Sequence, residues 1–369
     1  MKKLCLIVIL LFLFSFTALA AEEDKNTFTE EIKSELFGII DKDVMGVLEE
    51  IGITEESFDE IYKFSMKNIS SFFNTTLKDK SEKCIHDFFL LLTVILIVGV
   101  ISSVATSEKN VSFVSMLCVC VVALLTLKSV SSSLSACISV LRLSGNFMKG
   151  FVPVYTLLIS FSGNPTSALT YNTAVMAFAQ LLSAVISNIC SDLVGVMLCL
   201  SVAFSFNENI NTARIINSIN KIISLVLGFF SCMFTGFLSI KNILSTSVDT
   251  LSVKGIRFLI SSLIPVVGSS ISEAYSSLLG SINLIKGSVA LVGVLVLIII
   301  NLPVVIETAI YYFSFNALSY ISDTLNLIKV SEVLRCVAGA IRFLLLLCVF
   351  EMFILIISTG ILLSVKGTV

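Results

Sequence analysis

Three isolated acids lie inside or beside long apolar runs of this 369-residue chain: Glu273, Glu307 and Glu351. A carboxylate at membrane depth is costly, so it faces a partner, water or a proton path. Proton coupling and polar contacts between helices are therefore the two chemistries these acids could perform. Glu351, between Phe350 and Met352, fits a bundle contact, a proton site or a place at the membrane interface. Arg342 could pair with it only across a bend, because nine residues is not the spacing of one helix face.

Other reactive chemistry is poorly supplied. His86 is the one histidine, it precedes an apolar run, and it reads as an interfacial residue. No P-loop, Gly-x-Ser-x-Gly elbow, paired-histidine zinc motif or dinucleotide fingerprint is present. The ten cysteines make no disulfide framework. Most of them sit in apolar runs, where cysteine behaves as a small apolar residue. No enzyme activity, cofactor, metal or nucleic-acid partner is expected, and work on a substrate would need a separate ATPase or a gradient.

Apolar residues make up 56% of the chain and charged residues 14%, with a mean hydropathy of +1.02. Soluble domains carry about 25% charge, so much of this surface must face lipid. The net charge of -2 hides two bodies. Residues 21–85 carry sixteen acids and eight lysines, whereas residues 88–369 carry fourteen basic and nine acidic groups. A small acidic segment in water joins a long body in a bilayer.

The N-terminus reads as an export signal. Lys2 and Lys3 precede an apolar run from Leu4 to Leu13, and Ala18-Leu19-Ala20 has peptidase spacing, so residues 1–20 are expected to be cleaved. Residues 21–85 then form an exported, acidic, amphipathic helical domain, with Phe28, Ile32, Leu36 and Ile39 at helical steps. Such a segment is too small for much core of its own and should rest on the membrane body or on a partner.

Residues 86–369 form the multi-spanning body of an all-α protein. Runs long enough to cross ~30 Å of hydrocarbon begin at His86–Ala105 and Val111–Leu127, a hairpin about a turn at Ser107–Asn110. Further runs follow at Ala174–Cys190, Leu193–Phe206, Ile222–Ile240, Val289–Ile306 and Ile341–Leu363, giving about seven spans, six to eight. Residues 128–150 and 241–262 read as basic interfacial helices. Each leads into a proline-bearing apolar stretch, at Pro153 and at Pro265. Residues 128–206 and 241–306 therefore form a candidate internal repeat, although an amphipathic helix followed by an apolar run is also a common way to re-enter a membrane. Pro153, Pro165, Pro265 and Pro303 all lie in or beside apolar runs. They imply broken or re-entrant helices, facing a wet cavity or kinked against neighbours.

The stretch Val253-Lys254-Gly255-Ile256-Arg257-Phe258-Leu259, with Pro265-Val266-Val267-Gly268 and Ser272-Glu273-Ala274 after it, resembles the most characteristic segment of the stage III sporulation protein AE family. The order of parts matches as well: signal, acidic helical segment, multi-spanning body. Ser269 and Ser270 depart from the smaller residues expected there, which affects local packing only. The resemblance implies a multi-pass protein of the mother-cell membrane facing the forespore, with its N-terminal domain on the non-cytoplasmic side. It further implies a channel or secretion-like complex with ring-forming membrane proteins and a separate cytoplasmic ATPase, needed for forespore development after engulfment. Lys254, Arg257, Pro265, Gly268 and Glu273 carry over as motif residues. Pro153, Pro303, Glu307 and Glu351 are packing or conduit candidates. A stand-alone secondary transporter, proton-coupled through Glu273, Glu307 or Glu351, is the alternative.

Overall fold

The computed structural model describes residues 30–50, 53, 66–104, 108–185, 212–263 and 268–363, with isolated positions at 192, 195, 196 and 199. All regular structure among them is helical. The helices are α1 (residues 30–39), α2 (Lys42–Glu50), α3 (Met66–Val104), α4 (Glu108–Phe161), α5 (Pro165–Val185), α6 (Thr212–Leu263), α7 (Gly268–Thr324) and α8 (Ile328–Leu363). The export signal, most of the run Leu193–Phe206 and Pro265 lie outside the described residues, as does part of the run Ala174–Cys190.

Five helices are long and apolar enough to cross a membrane by length and composition, at Ser71–Ser102, Met116–Phe161, Ser218–Ile256, Tyr275–Thr324 and Ile328–Gly360. The expected count of seven is not reached among the described residues. The runs also extend further than expected. The serine-rich stretch 128–150 is not a separate interfacial helix but the continuation of α4, which has 54 residues and a length of ~80 Å. Residues 241–262 likewise continue α6, of 52 residues. Serine inside a helix can bond back to its own backbone, so a hydroxyl-rich stretch need not end the helix. Ser245 and Ser247 do this, to Lys241 and Ile243.

Pro153 and Pro303 are likewise inside continuous helices, not at breaks. Each removes one helical hydrogen bond. Packed neighbours hold the helix through the defect: Phe151, Val152 and Val154 beside Pro153, and Ile299, Ile300 and Val304 beside Pro303, are all buried. Pro165 stands at the first position of α5, where its missing N–H would have no helical partner anyway.

Two tight turns share one design. After α4, the Asn164 N–H donates to the Ile159 carbonyl and the Gly163 N–H to the Ser160 carbonyl. After α7, the Leu327 N–H donates to Ser322 and the Asn326 N–H to Asp323. Both are Schellman caps around a left-handed residue, Gly163 at φ 84° and Asn326 at φ 58°. Glycine and asparagine are the residues that adopt this conformation most readily. The caps fold α4 onto α5 and α7 onto α8.

Side-chain pairings set the levels of the long helices. Along α7, Glu307 meets Lys80, Tyr311 meets Asp87 and Leu325 meets Gly99, so α3 runs parallel to α7. Asp87 also meets Ser129, Asn301 meets Ser144 and Gly293 meets Phe151, so α4 runs antiparallel to α7. The body therefore has two tiers along one axis. One contains the α3–α4 hairpin and the α7–α8 hairpin tip, and the other contains α5, most of α6 and the second half of α4. The second tier carries an aromatic ladder in which Phe147, Phe151 and Tyr155 stack in succession and Tyr155 meets Tyr171 of α5 edge-on.

The acidic N-terminal segment rests on this body. Ile32, Leu36, Phe37, Ile40, Val44 and Leu48 form its buried face, and Ile39 packs against Gly150 of α4. A Cβ at Gly150 would lie 2.4 Å from the Ile39 side chain, so the approach requires glycine. No break falls at 85/86, because α3 runs through it.

Candidate functional site

At the junction of the tiers, α3, α4 and α7 bring together the largest charged cluster among the described residues. Lys80, Lys83, Cys84 and Asp87 recur at three- and four-residue steps, which places them on one face of α3. Glu307 and Tyr311, four apart, answer them from α7. Lys80 Nζ lies 3.2 Å from one Glu307 oxygen and Lys83 Nζ 3.8 Å from the other. Lys83 also donates to Ser132 Oγ of α4 at 3.1 Å. Asp87 Oδ2 accepts from Ser129 Oγ at 3.0 Å and from the Tyr311 hydroxyl at 2.8 Å.

The partners differ in exposure. The Glu307 side chain is 6% exposed, while those of Lys80 and Lys83 are 40% and 55% exposed. The half-exposed lysines bring their amino groups to the buried carboxylate. The carboxylate depends on them, because a buried charge without a partner is costly. The cluster's evident physical work is to fix the register of the α3–α4 hairpin on α7.

Glu351 has a different setting. It is buried in α8, and its Oε2 has no hydrogen-bond partner among the described residues. One turn earlier, Cys348 Sγ lies 2.9 Å from Cys137 Sγ of α4, both buried. Arg342 forms no pair with Glu351.

A third polar contact joins α6 to α5. Asp249, buried on α6, accepts from the backbone N–H groups of Thr166 and Ser167 at 2.9 Å each and from Ser167 Oγ at 2.8 Å. Thr166 and Ser167 are the second and third residues of α5, whose N–H groups lack helical partners. An N-cap side chain ordinarily accepts from these groups. Here the acceptor comes from a neighbouring helix, and its charge also suits the positive end of the α5 dipole. Sequence reasoning missed Asp249. The available signal was an isolated acid between Lys241 and Lys254 on an otherwise uncharged face.

The expected site residues do not converge. Glu307 sits at the junction; because Ser319 faces Ser331 across the α7–α8 hairpin, Glu351 lies about eight residues, or ~12 Å, beyond that level on α8, and Glu273 is exposed near the start of α7. Lys254 is exposed on α6. Arg257 belongs to the α6 backbone and Gly268 begins α7. Among the described residues, no group of three His, Cys, Asp or Glu side chains could hold a metal ion.

Comparison with known proteins adds a family. The family model described as Stage III sporulation protein AE matches residues 48–365. The Bacillus subtilis (strain 168) protein named Stage III sporulation protein AE is 23% identical over 286 residues, covering 77% of this chain and 71% of that protein. No solved structure matches.

Proposed function

Because this chain belongs to the stage III sporulation protein AE family, we propose that it is a membrane component of the channel or secretion-like complex between mother cell and forespore, required for forespore development after engulfment. In this reading it is a multi-pass protein of the mother-cell membrane with its acidic N-terminal segment on the non-cytoplasmic side. It works with ring-forming membrane proteins and takes its energy from a separate cytoplasmic ATPase.

The observation that carries the reading is the family match from 48 to 365, which spans all five long apolar helices. The exterior supports a need for protein partners. Exposed apolar side chains on α6 run from Ile222 to Leu259. At 1.5 Å per residue that strip is ~55 Å long, against ~30 Å of hydrocarbon. A tilt of up to ~40° lengthens the lipid-covered part only to ~39 Å. Part of the strip must meet something other than acyl chains.

The test is deletion of the gene in its spore-forming host, with microscopy of sporulating cells. The expected result is arrest after engulfment, small collapsed forespores and unchanged vegetative growth; normal spores would sink the proposal. The stand-alone transporter keeps one supporting observation, the unpartnered Glu351 oxygen. It requires substrate flux into liposomes holding this protein alone, lost in Glu351→Gln.

A further inference from the structure

The α7–α8 hairpin forms a half-open cavity of about 330 Å³ that the junction cluster does not use. That volume lies at the lower end of the range of small-molecule sites, ~300–1,000 Å³. Its walls are polar for a place among apolar runs. Tyr312, Asn316, Ser319 and Tyr320 line it from α7, and Arg335 and Arg342 line it from α8. The two arginines are seven residues apart, which sets both guanidinium groups on one face of α8.

Their charges are not equally balanced. Arg335 is paired with Asp323, and its Nε donates to Ser319 Oγ at 3.1 Å. Arg342 is half-buried and has no hydrogen bond or ion pair among the described residues. An arginine at the edge of the apolar run Ile341–Leu363 is costly without a counter-charge. Glu351 does not supply it. The cavity therefore combines one satisfied guanidinium, one uncompensated guanidinium, two tyrosines, an amide and a hydroxyl. A guanidinium presents a planar fork of five donors that matches phosphate oxygens. Tyrosines are enriched at headgroup level, and Tyr320 is 66% exposed at the rim.

We infer that this cavity is a binding site for a phosphate-bearing anion, with Arg342 as its principal ligand and Arg335 held ready by Asp323 and Ser319. Two sources share that chemistry, the headgroup of an anionic phospholipid and a free phosphate. The inference does not depend on the sporulation reading.

The experiment uses the full chain, purified in detergent and stripped of lipid, with native mass spectrometry and titration as readouts. Short-chain phosphatidylglycerol, short-chain phosphatidylcholine and inorganic phosphate are the probes. The wild type should bind one phosphatidylglycerol saturably and more tightly than phosphatidylcholine, and Arg342→Gln should weaken this roughly tenfold or more, the loss of a charge-assisted hydrogen bond. Binding that inorganic phosphate does not displace assigns the site to a lipid headgroup, and displacement by inorganic phosphate assigns it to a free phosphate; both support the inference. Equal binding by wild type and variant, or no preference over phosphatidylcholine, overturns it. If R342Q does not purify folded, Arg342→Lys keeps the charge and removes the fork. Weakened binding by R342K then supports the assignment, and unchanged binding overturns it.

Discussion

α6 and α7 are near twins by length, 52 and 57 residues, and both are strongly apolar. Yet 61% of the most apolar window of α7 is buried inside the molecule, against 6% for α6. α7 touches α3, α4 and α8 along most of its length and receives their polar groups at Glu307, Tyr311 and Asn301. α6 lies on the outside, tied by Asp249 to α5 and by Asn220 Nδ2 to the Gly339 carbonyl of α8 at 3.0 Å. Hydropathy measures how willingly a helix leaves water. It does not say whether lipid or protein replaces that water, because both are apolar. Polar side chains inside the run are the better guide. Those of α7 point at other helices, whereas many hydroxyls of α6 bond back to its own backbone, as at Ser224, Ser245, Ser247 and Thr250.

The comparison can be broken by substitution, read as unfolding of the detergent-purified protein. The largest effect is expected from Lys80→Ala combined with Lys83→Ala, about 3 kcal/mol, because the buried Glu307 carboxylate is left uncompensated. Glu307→Gln should cost only about 1 kcal/mol, since the half-exposed lysines return to water. Equal losses would mean that Glu307 is not the dependent partner.

Gly293→Ala on α7 comes next, at about 2 kcal/mol. Its Cβ would lie 2.4 Å from Phe151 Cζ, inside the stacked ladder. Gly228→Ala on α6, where an added methyl meets nothing within 4 Å, should leave the midpoint unchanged or slightly raised. A reversed order would invert the assignment of inner and outer helix.

Asp249→Ala should cost about 1–2 kcal/mol, the usual price of a lost cap. Hydrogen exchange should show the loss concentrated in the first turn of α5, and unchanged protection there would refute the cap. The smallest effect is expected from Leu225→Ala, below about 0.5 kcal/mol. Leu225 is 73% exposed on α6, and a larger loss would place a protein contact on that residue.

Much of the fold was legible in residue order. The described part of the apolar run His86–Ala105 and the runs Val289–Ile306 and Ile341–Leu363 lie in helices because backbone groups in hydrocarbon must bond within their own segment. Gly163 before Pro165 marks a C-cap followed by a helix start. Helix continuity was less legible. Lys128, Arg142 and the serines of 128–150 looked like a change of environment, but α4 continues through them, with Ser129, Ser133 and Ser144 buried and Lys128 and Arg142 exposed. Asp249 was unreadable as a cap because its partners lie more than eighty residues away in sequence. A still longer separation in sequence hid the pairing of Glu307 with Lys80.

Residue order alone determined that this chain is helical and apolar, with most of its acids ahead of a long apolar stretch. Those properties follow from local periodicity and composition, which each window of sequence contains whole. Tertiary structure decided which acid is neutralised, which helix lies inside, where the tiers meet and that Arg342 meets no counter-charge among the described residues. Each of these depends on contacts between helices remote in sequence, and periodicity fixes the face a residue occupies without fixing what that face meets.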